Sequence, residues 1–279
     1  MDADIRRWTH TEFPKITMVD CKPHAMGDLV KSERYGEHVR FHSGNHSFCG
    51  CTYEELAEIA EHGHLESVTK AREFAKDLRR TMPHTGSVPV MHPSVCGGGL
   101  SVPTYLAGNP QCFGLPEYKP AATEPITLWV ALNAWGSIKA RDVAKRSMCV
   151  LGLASLIDEE RPINLNVYQY SHVGTGPETC VTYRLGVRPV DWAMAGALLG
   201  HTGMYRGASF GVVTRECGLK TLHGDIMFGG KDRRKVLRMK DDDIHVGVWR
   251  GEDAQMSPEH WIKQWYEKLE RDNMVGSGL

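Results

Sequence analysis

Hydrophobic and polar positions along the second half of the chain alternate between two periods. From Ile126 the residues ITLWVALN form a nearly continuous apolar run, as expected of a strand covered on both faces. Val143, Ser147, Val150, Leu151, Ala154 and Ile157 then recur at helical spacing and predict a helix over 139–159. Pro162 separates that helix from a second apolar strand, INLNVYQY, at 163–170. Strand, helix and strand within about forty residues predict a right-handed parallel crossover. TCVTYRLGV predicts a third strand at 179–187, and Pro189 opens a helix that runs to about Leu199. Further strands are predicted near 209–214, 224–228 and 244–249. The last helix starts at Ser257-Pro258, with Trp261, Trp265, Tyr266 and Leu269 on its apolar side.

The first half reads differently. Residues 1–50 show weak periodicity, and VRFH at 39–42 reads as a strand. Thr52 and Glu55 form a capping box ahead of Leu56, Ile59 and Ala60, with Gly63 as the stop. A second helix over 65–80 carries a heavily charged face, which predicts i,i+3 and i,i+4 pairs facing water. Residues 83–125 are rich in Pro and Gly and predict an ordered connector with short strands. The expected division is therefore an N-terminal helical or irregular part (1–82), a connector packed on the core (83–125) and an α/β core (126–279). The fold class expected is α/β, with a mixed, mainly parallel sheet and flanking helices.

Eight cysteines spread over 279 residues suit free thiols in a reducing compartment better than a disulfide scaffold. Cys149 falls in a helical pattern and Cys180 in a strand pattern, where a thiol serves as a small apolar side chain. MDADIRRWTHTEF has no apolar core and does not read as a signal peptide, and no run is long enough to span a membrane. The expectation is a cytoplasmic protein, the host cytoplasm if the chain is phage-encoded, with no membrane partner.

Charge changes the picture at one place. The formal net charge is -1, yet Gly229–Lys240 (GGKDRRKVLRMK) holds six cations, Lys231, Arg233, Arg234, Lys235, Arg238 and Lys240, against one anion, Asp232. Such local density suits phosphate; a solvated loop accommodates it equally. Phe228 precedes the run, and Trp249 and Arg250 follow it, after the acidic Asp241–Asp243. Cations that track phosphates beside rings that stack on bases are the parts of a single-strand binder.

Other chemistry fares less well. Cys21, His24, His38, His42, His46, Cys49 and Cys51 invite a zinc reading, but Cys49 and Cys51 are one residue apart and match no metal knuckle. Gly97-Gly98-Gly99 lacks the Lys-Ser/Thr of a phosphate loop, and no G-x-S-x-G is present. Cys96 with nearby His92 is the best nucleophile and is weak. No cofactor and no enzyme activity are expected.

SVPTYLAGNPQCF (101–113) followed by ITLWVALNAWGSIKARDVAKRSMCVLGLASLI resembles a family of bacteriophage proteins that carry no assigned function. The core order is also similar to a von Willebrand A-type domain. At the metal-motif positions, however, Asn133, Trp135 and Ser137 stand where Asp-x-Ser-x-Ser would be, so the resemblance implies a domain without its metal. The chain further looks like the orphan cofactors of podoviruses that encode their own RNA polymerases. That resemblance implies binding of single-stranded DNA and recruitment of a phage RNA polymerase. The alternative it leaves open is a metal-free A-type module docking on a protein such as an AAA+ ATPase. The open edges of the sheet suit pairing between subunits.

Overall fold

A computed structural model describes residues 5–44, 49–81, 90–94, 99–117, 124–133, 139–172, 178–187, 189–218, 232–249 and 251–272. The central sheet is built from β1 (Ile5–Thr9), β2 (Ile16–Cys21), β6 (Ile126–Ala131), β7 (Ile163–His172), β8 (Glu178–Val187) and β9 (Ile244–Val246). Their order across it is β1-β2-β8-β7-β6-β9. β2–β8, β6–β7 and β6–β9 pair parallel, while β1–β2 and β7–β8 pair antiparallel. The fold is thus α/β with a mixed, mostly parallel sheet and flanking helices.

Strand β6 explains the apolar run from Ile126. Ile126, Leu128 and Val130 join a large cluster with the helices, and Trp129 and Ala131 join a second cluster across the sheet. The first cluster takes in α1 (Met26–Lys31), α2 (Gly36–Ser43), α3 (Tyr53–His62), α4 (Leu65–Thr81), α6 (Ala140–Glu160), α7 (Trp192–Gly200), α8 (Phe210–Glu216) and α11 (Pro258–Arg271). The second is smaller: Ile16, Met18, Trp129, Ala131, Tyr168, Tyr170 and Cys180 meet Val236 and Leu237 of α9 (Arg233–Leu237). The crossover β6–α6–β7 forms as the pattern predicts. The capping box of α3 is present, with Glu55 N donating to Thr52 Oγ1 at 3.1 Å and Thr52 N to Glu55 Oε2 at 2.7 Å. Such a cap stabilises a helix by about 1 kcal/mol.

Several expectations are corrected. Residues 5–21, assigned to an irregular or helical part, supply two strands of the central sheet. VRFH lies in helix α2. Residues 209–214 are helical: a wide turn over Met204–Ser209 runs directly into α8. That segment is buried all round, so its pattern lacks the polar stripe that marks a surface helix and mimics a buried strand. The helix after Pro189 begins at Trp192, capped by Asp191 accepting from Met194 N at 2.9 Å. Residues 224–228 lie outside the described residues.

Within 83–125, β3 (Val90–Ser94), β4 (Gly99–Leu100) and β5 (Phe113–Glu117) form a separate antiparallel sheet, order β3-β5-β4. The short α5 (Val102–Leu106) beside it buries none of its residues, and Val102, Tyr105 and Leu106 stand exposed. Helix α10 (Gly251–Gln255) leads into α11. Among the described residues Cys21, Cys49, Cys51, Cys112, Cys149, Cys180 and Cys217 are buried and form no disulfide. No described helix is long and apolar enough to cross a membrane.

Candidate nucleic-acid interface

The basic run folds into a capped turn of helix. Asp232 accepts from Arg234 N at 2.9 Å and opens α9. Val236 and Leu237 are the only buried positions of α9 and pin it to the sheet beside Trp129 and Tyr168. Arg238 ends the helix in the left-handed region, at φ 53 and ψ 43, the one non-glycine with positive φ among the described residues. The chain then closes on itself. Lys240 N donates to Asp243 Oδ2 at 2.9 Å, Trp129 Nε1 donates to the same oxygen at 3.1 Å, and the Arg234 guanidinium bonds the Lys240 carbonyl.

This geometry sorts the charges. Asp243 is buried in the turn, while Asp232, the cap, stays exposed together with Asp241 and Asp242. Arg233, Lys235, Arg238 and Lys240 are exposed and Arg234 is half-buried. Among the described residues none of these five cations forms an ion pair. Lys231, Phe228 and Arg250 lie outside the described residues.

Trp249 is a correction. It is 1% exposed and packs against Trp261 with ring centroids 5.7 Å apart, while its backbone N–H reaches Asn133 O. A ring inside the helical core cannot stack on a base. Tyr168, Tyr170 and Tyr205 are core residues as well.

Residues that charge alone did not single out come from the other end of the chain. Arg238 Nη2 donates to Thr11 Oγ1 at 3.3 Å, placing the β1–β2 turn against α9. Trp8 and Phe13, half-buried, pack on the same cluster as Val236 and Leu237. Their only trace in the sequence is that WTHTEF sets two aromatics beside Arg6 and Arg7. Next to Arg233, His245 Nε2 and Tyr168 Oη share a hydrogen bond of 2.6 Å. Burial pushes His245 down to about 4, helped by the charges of Arg233 and Arg234.

Of the metal-motif positions, Asn133 has a structural use. Asn133 donates through Nδ2 to Tyr170 O at 2.7 Å and accepts Tyr170 N at 3.0 Å through Oδ1, so its amide extends the β6–β7 ladder. Trp135 and Ser137 lie outside the described residues. Among the described residues no three His, Cys, Asp or Glu side chains are arranged to hold a metal; His46 and Cys96 lie outside them. Cys49 Sγ donates to His42 O at 3.0 Å, and burial pushes the Cys49 and Cys51 thiols up to about 11. A cleft of about 410 Å³ opens where α3 meets α7, lined by Cys51, Glu55, Glu58, His62 and His201 among others. Burial and the neighbouring His64 hold His201 below its ordinary value, so the cleft pairs a neutral imidazole with a protonated thiol at neutral pH.

The chain belongs to a family described as Domain of unknown function (DUF7192), whose model matches residues 21–221. The matched stretch takes in α1–α8 and β3–β8; β1, α9, β9, α10 and α11 fall outside it. No curated protein and no solved structure matches the chain.

Proposed function

We propose that this member of the DUF7192 family is a non-catalytic binder of single-stranded nucleic acid. The carrying observation is the concentration of four exposed cations, Arg233, Lys235, Arg238 and Lys240, on and just after α9, with none in an ion pair among the described residues. Phosphates replace small counterions around such a cluster, so affinity falls steeply with salt. The phage resemblance adds the biological role: a cofactor that holds single-stranded DNA and recruits a phage RNA polymerase.

Fluorescence anisotropy with labelled single-stranded and duplex oligonucleotides at two salt concentrations tests this. Tighter binding to the single strand, weakened by salt, is expected. A triple variant Arg233→Ala, Arg234→Ala, Lys235→Ala should reduce the slope of log affinity against log salt by about 1.4, the exposed Arg233 and Lys235 making two phosphate contacts at about 0.7 each. Unchanged binding by the folded triple variant removes α9 from the interface, and absence of binding at low salt removes the reading.

A second reading has its own observations. The order β8-β7-β6-β9, with β8 antiparallel, is consistent with an A-type core, and exposed Val102, Tyr105 and Leu106 form an apolar patch of the sort that marks protein contacts. A protein-docking module would bind no nucleic acid and would lose its partner on Leu106→Asp.

A further inference from the structure

A basic helix alone gives affinity for phosphate without preference between one strand and two. The β1–β2 turn supplies what α9 lacks. His10 is 2% exposed, and its Nδ1 accepts backbone N–H groups from Glu12 and Phe13 at 3.2 Å each. Its ring lies 5.1 Å from that of Phe13 at 42°. The turn is therefore held from inside, with Phe13 fixed in place. Trp8 precedes it on the edge strand β1, paired with Met18 of β2. Both aromatics lean on the cluster that anchors α9, and both keep part of their surface exposed. Arg238, which follows α9, bonds Thr11 between them in sequence, so the C-terminal end of α9 abuts the turn. Arg6 and Lys15, both exposed, carry positive charge on the strand and turn themselves, with Glu12 the one acid among them.

We infer that Trp8 and Phe13 form the base-stacking half of the interface, receiving unpaired bases of a strand whose phosphates lie along Arg233–Arg238. The inference rests on the nucleic-acid reading above. It explains a preference for single strands by a physical cause: an aromatic platform is useful only to bases not already stacked in a duplex. The ligand class is single-stranded nucleic acid with little base preference, because every base offers a π-face to a ring.

The test uses the full chain and fluorescence anisotropy with oligothymidylate and an abasic strand of equal length and charge. Trp8→Leu and Phe13→Leu keep an apolar side chain on the cluster and remove the ring. Each should weaken binding of oligothymidylate by about fivefold to a hundredfold, the loss of one stacked base. The salt slope should stay as in the wild type, unlike that of the α9 triple variant. The wild type should bind the abasic strand more weakly by about the product of those two factors, because both stacked bases are lost at once. Folded Leu variants that bind oligothymidylate like the wild type, or wild-type binding that is insensitive to loss of the bases, overturn the stacking role of Trp8 and Phe13 and leave the α9 reading standing. No binding by the wild type at low salt overturns both.

Discussion

Arg238 and Thr11 are 227 positions apart in sequence and are joined by a hydrogen bond of 3.3 Å. The bond is made from an unusual backbone: Arg238 sits in the left-handed region, where an L side chain costs about 1–2 kcal/mol. Glycine would occupy that conformation freely.

Arg238→Gly separates stability from binding. Relief of left-handed strain outweighs loss of one exposed hydrogen bond, which is worth about 0.5–1.5 kcal/mol. The denaturation midpoint should rise slightly. Affinity for single-stranded DNA should fall, and the salt slope should shrink by about 0.7, one phosphate contact. A variant both less stable and equal in binding would show that Arg238 serves the fold alone.

Arg146 offers a stability test away from the interface. It is 5% exposed and its guanidinium bonds the carbonyls of Leu132, at 3.0 Å, and Ala131, at the end of β6. Burial lowers it to about 10, so it remains charged at neutral pH. Arg146→Met fills the space but leaves two carbonyls without a donor. The expected loss is about 2–4 kcal/mol, read from urea unfolding. A loss under about 0.5 kcal/mol, the size of an ordinary surface change, would mean that those carbonyls find other donors.

These residues also show how much was legible beforehand. Helix α3 announced itself because its capping box is local, and β6 because burial on both faces leaves no polar position. Strand β1 did not: its burial runs half-buried, exposed, exposed, half-buried, exposed, since an edge strand has little to hide. Helix α8 failed for the opposite reason, being buried on nearly every side, its polar Thr214 and Glu216 included. The basic run was visible as composition. Its neighbours Thr11 and Phe13 were not, because the contact is made by the sheet, which brings the two ends of the chain together. Trp249 looked available only because sequence adjacency to a charged segment says nothing about which way a ring points.

Glu216 governs the acid limb of stability. Its side chain is fully buried and receives Arg34 Nη2 at 2.8 Å, Tyr35 Oη at 2.9 Å and Arg7, tying β1 and the α1–α2 turn to α8. Burial alone would raise its pKa, but these three donors together hold it below the usual carboxylate value. A depressed carboxylate stabilises the fold above its unfolded value of about 4.3, and that contribution is lost as pH falls through the folded value. Glu216→Gln should therefore lower stability at pH 7 and flatten its dependence below about pH 4.5. Circular dichroism against pH checks this; parallel acid curves for the two proteins would exclude Glu216 as the titrating group.

His245 acts in a higher window and couples stability to binding. Burial, with Arg233 and Arg234, holds it near 4, against an unfolded value of about 6.5. Between these values the unfolded chain binds more protons, so stability should fall as pH drops from about 6.5 toward 4. A phosphate on Arg233 and Arg234 offsets the charges that depress His245 and raises its pKa. The bound state then takes up protons, and affinity should strengthen as pH falls from about 6 toward 4. His245→Gln keeps a hydrogen-bonding group beside Tyr168 and cannot titrate in this range. Comparing anisotropy titrations of the two proteins at several pH values isolates the effect. If the variant strengthens with acid as much as the wild type, the coupling lies elsewhere. If its affinity stays flat while that of the wild type rises, the bound phosphate lies close enough to Arg233 to be felt at His245.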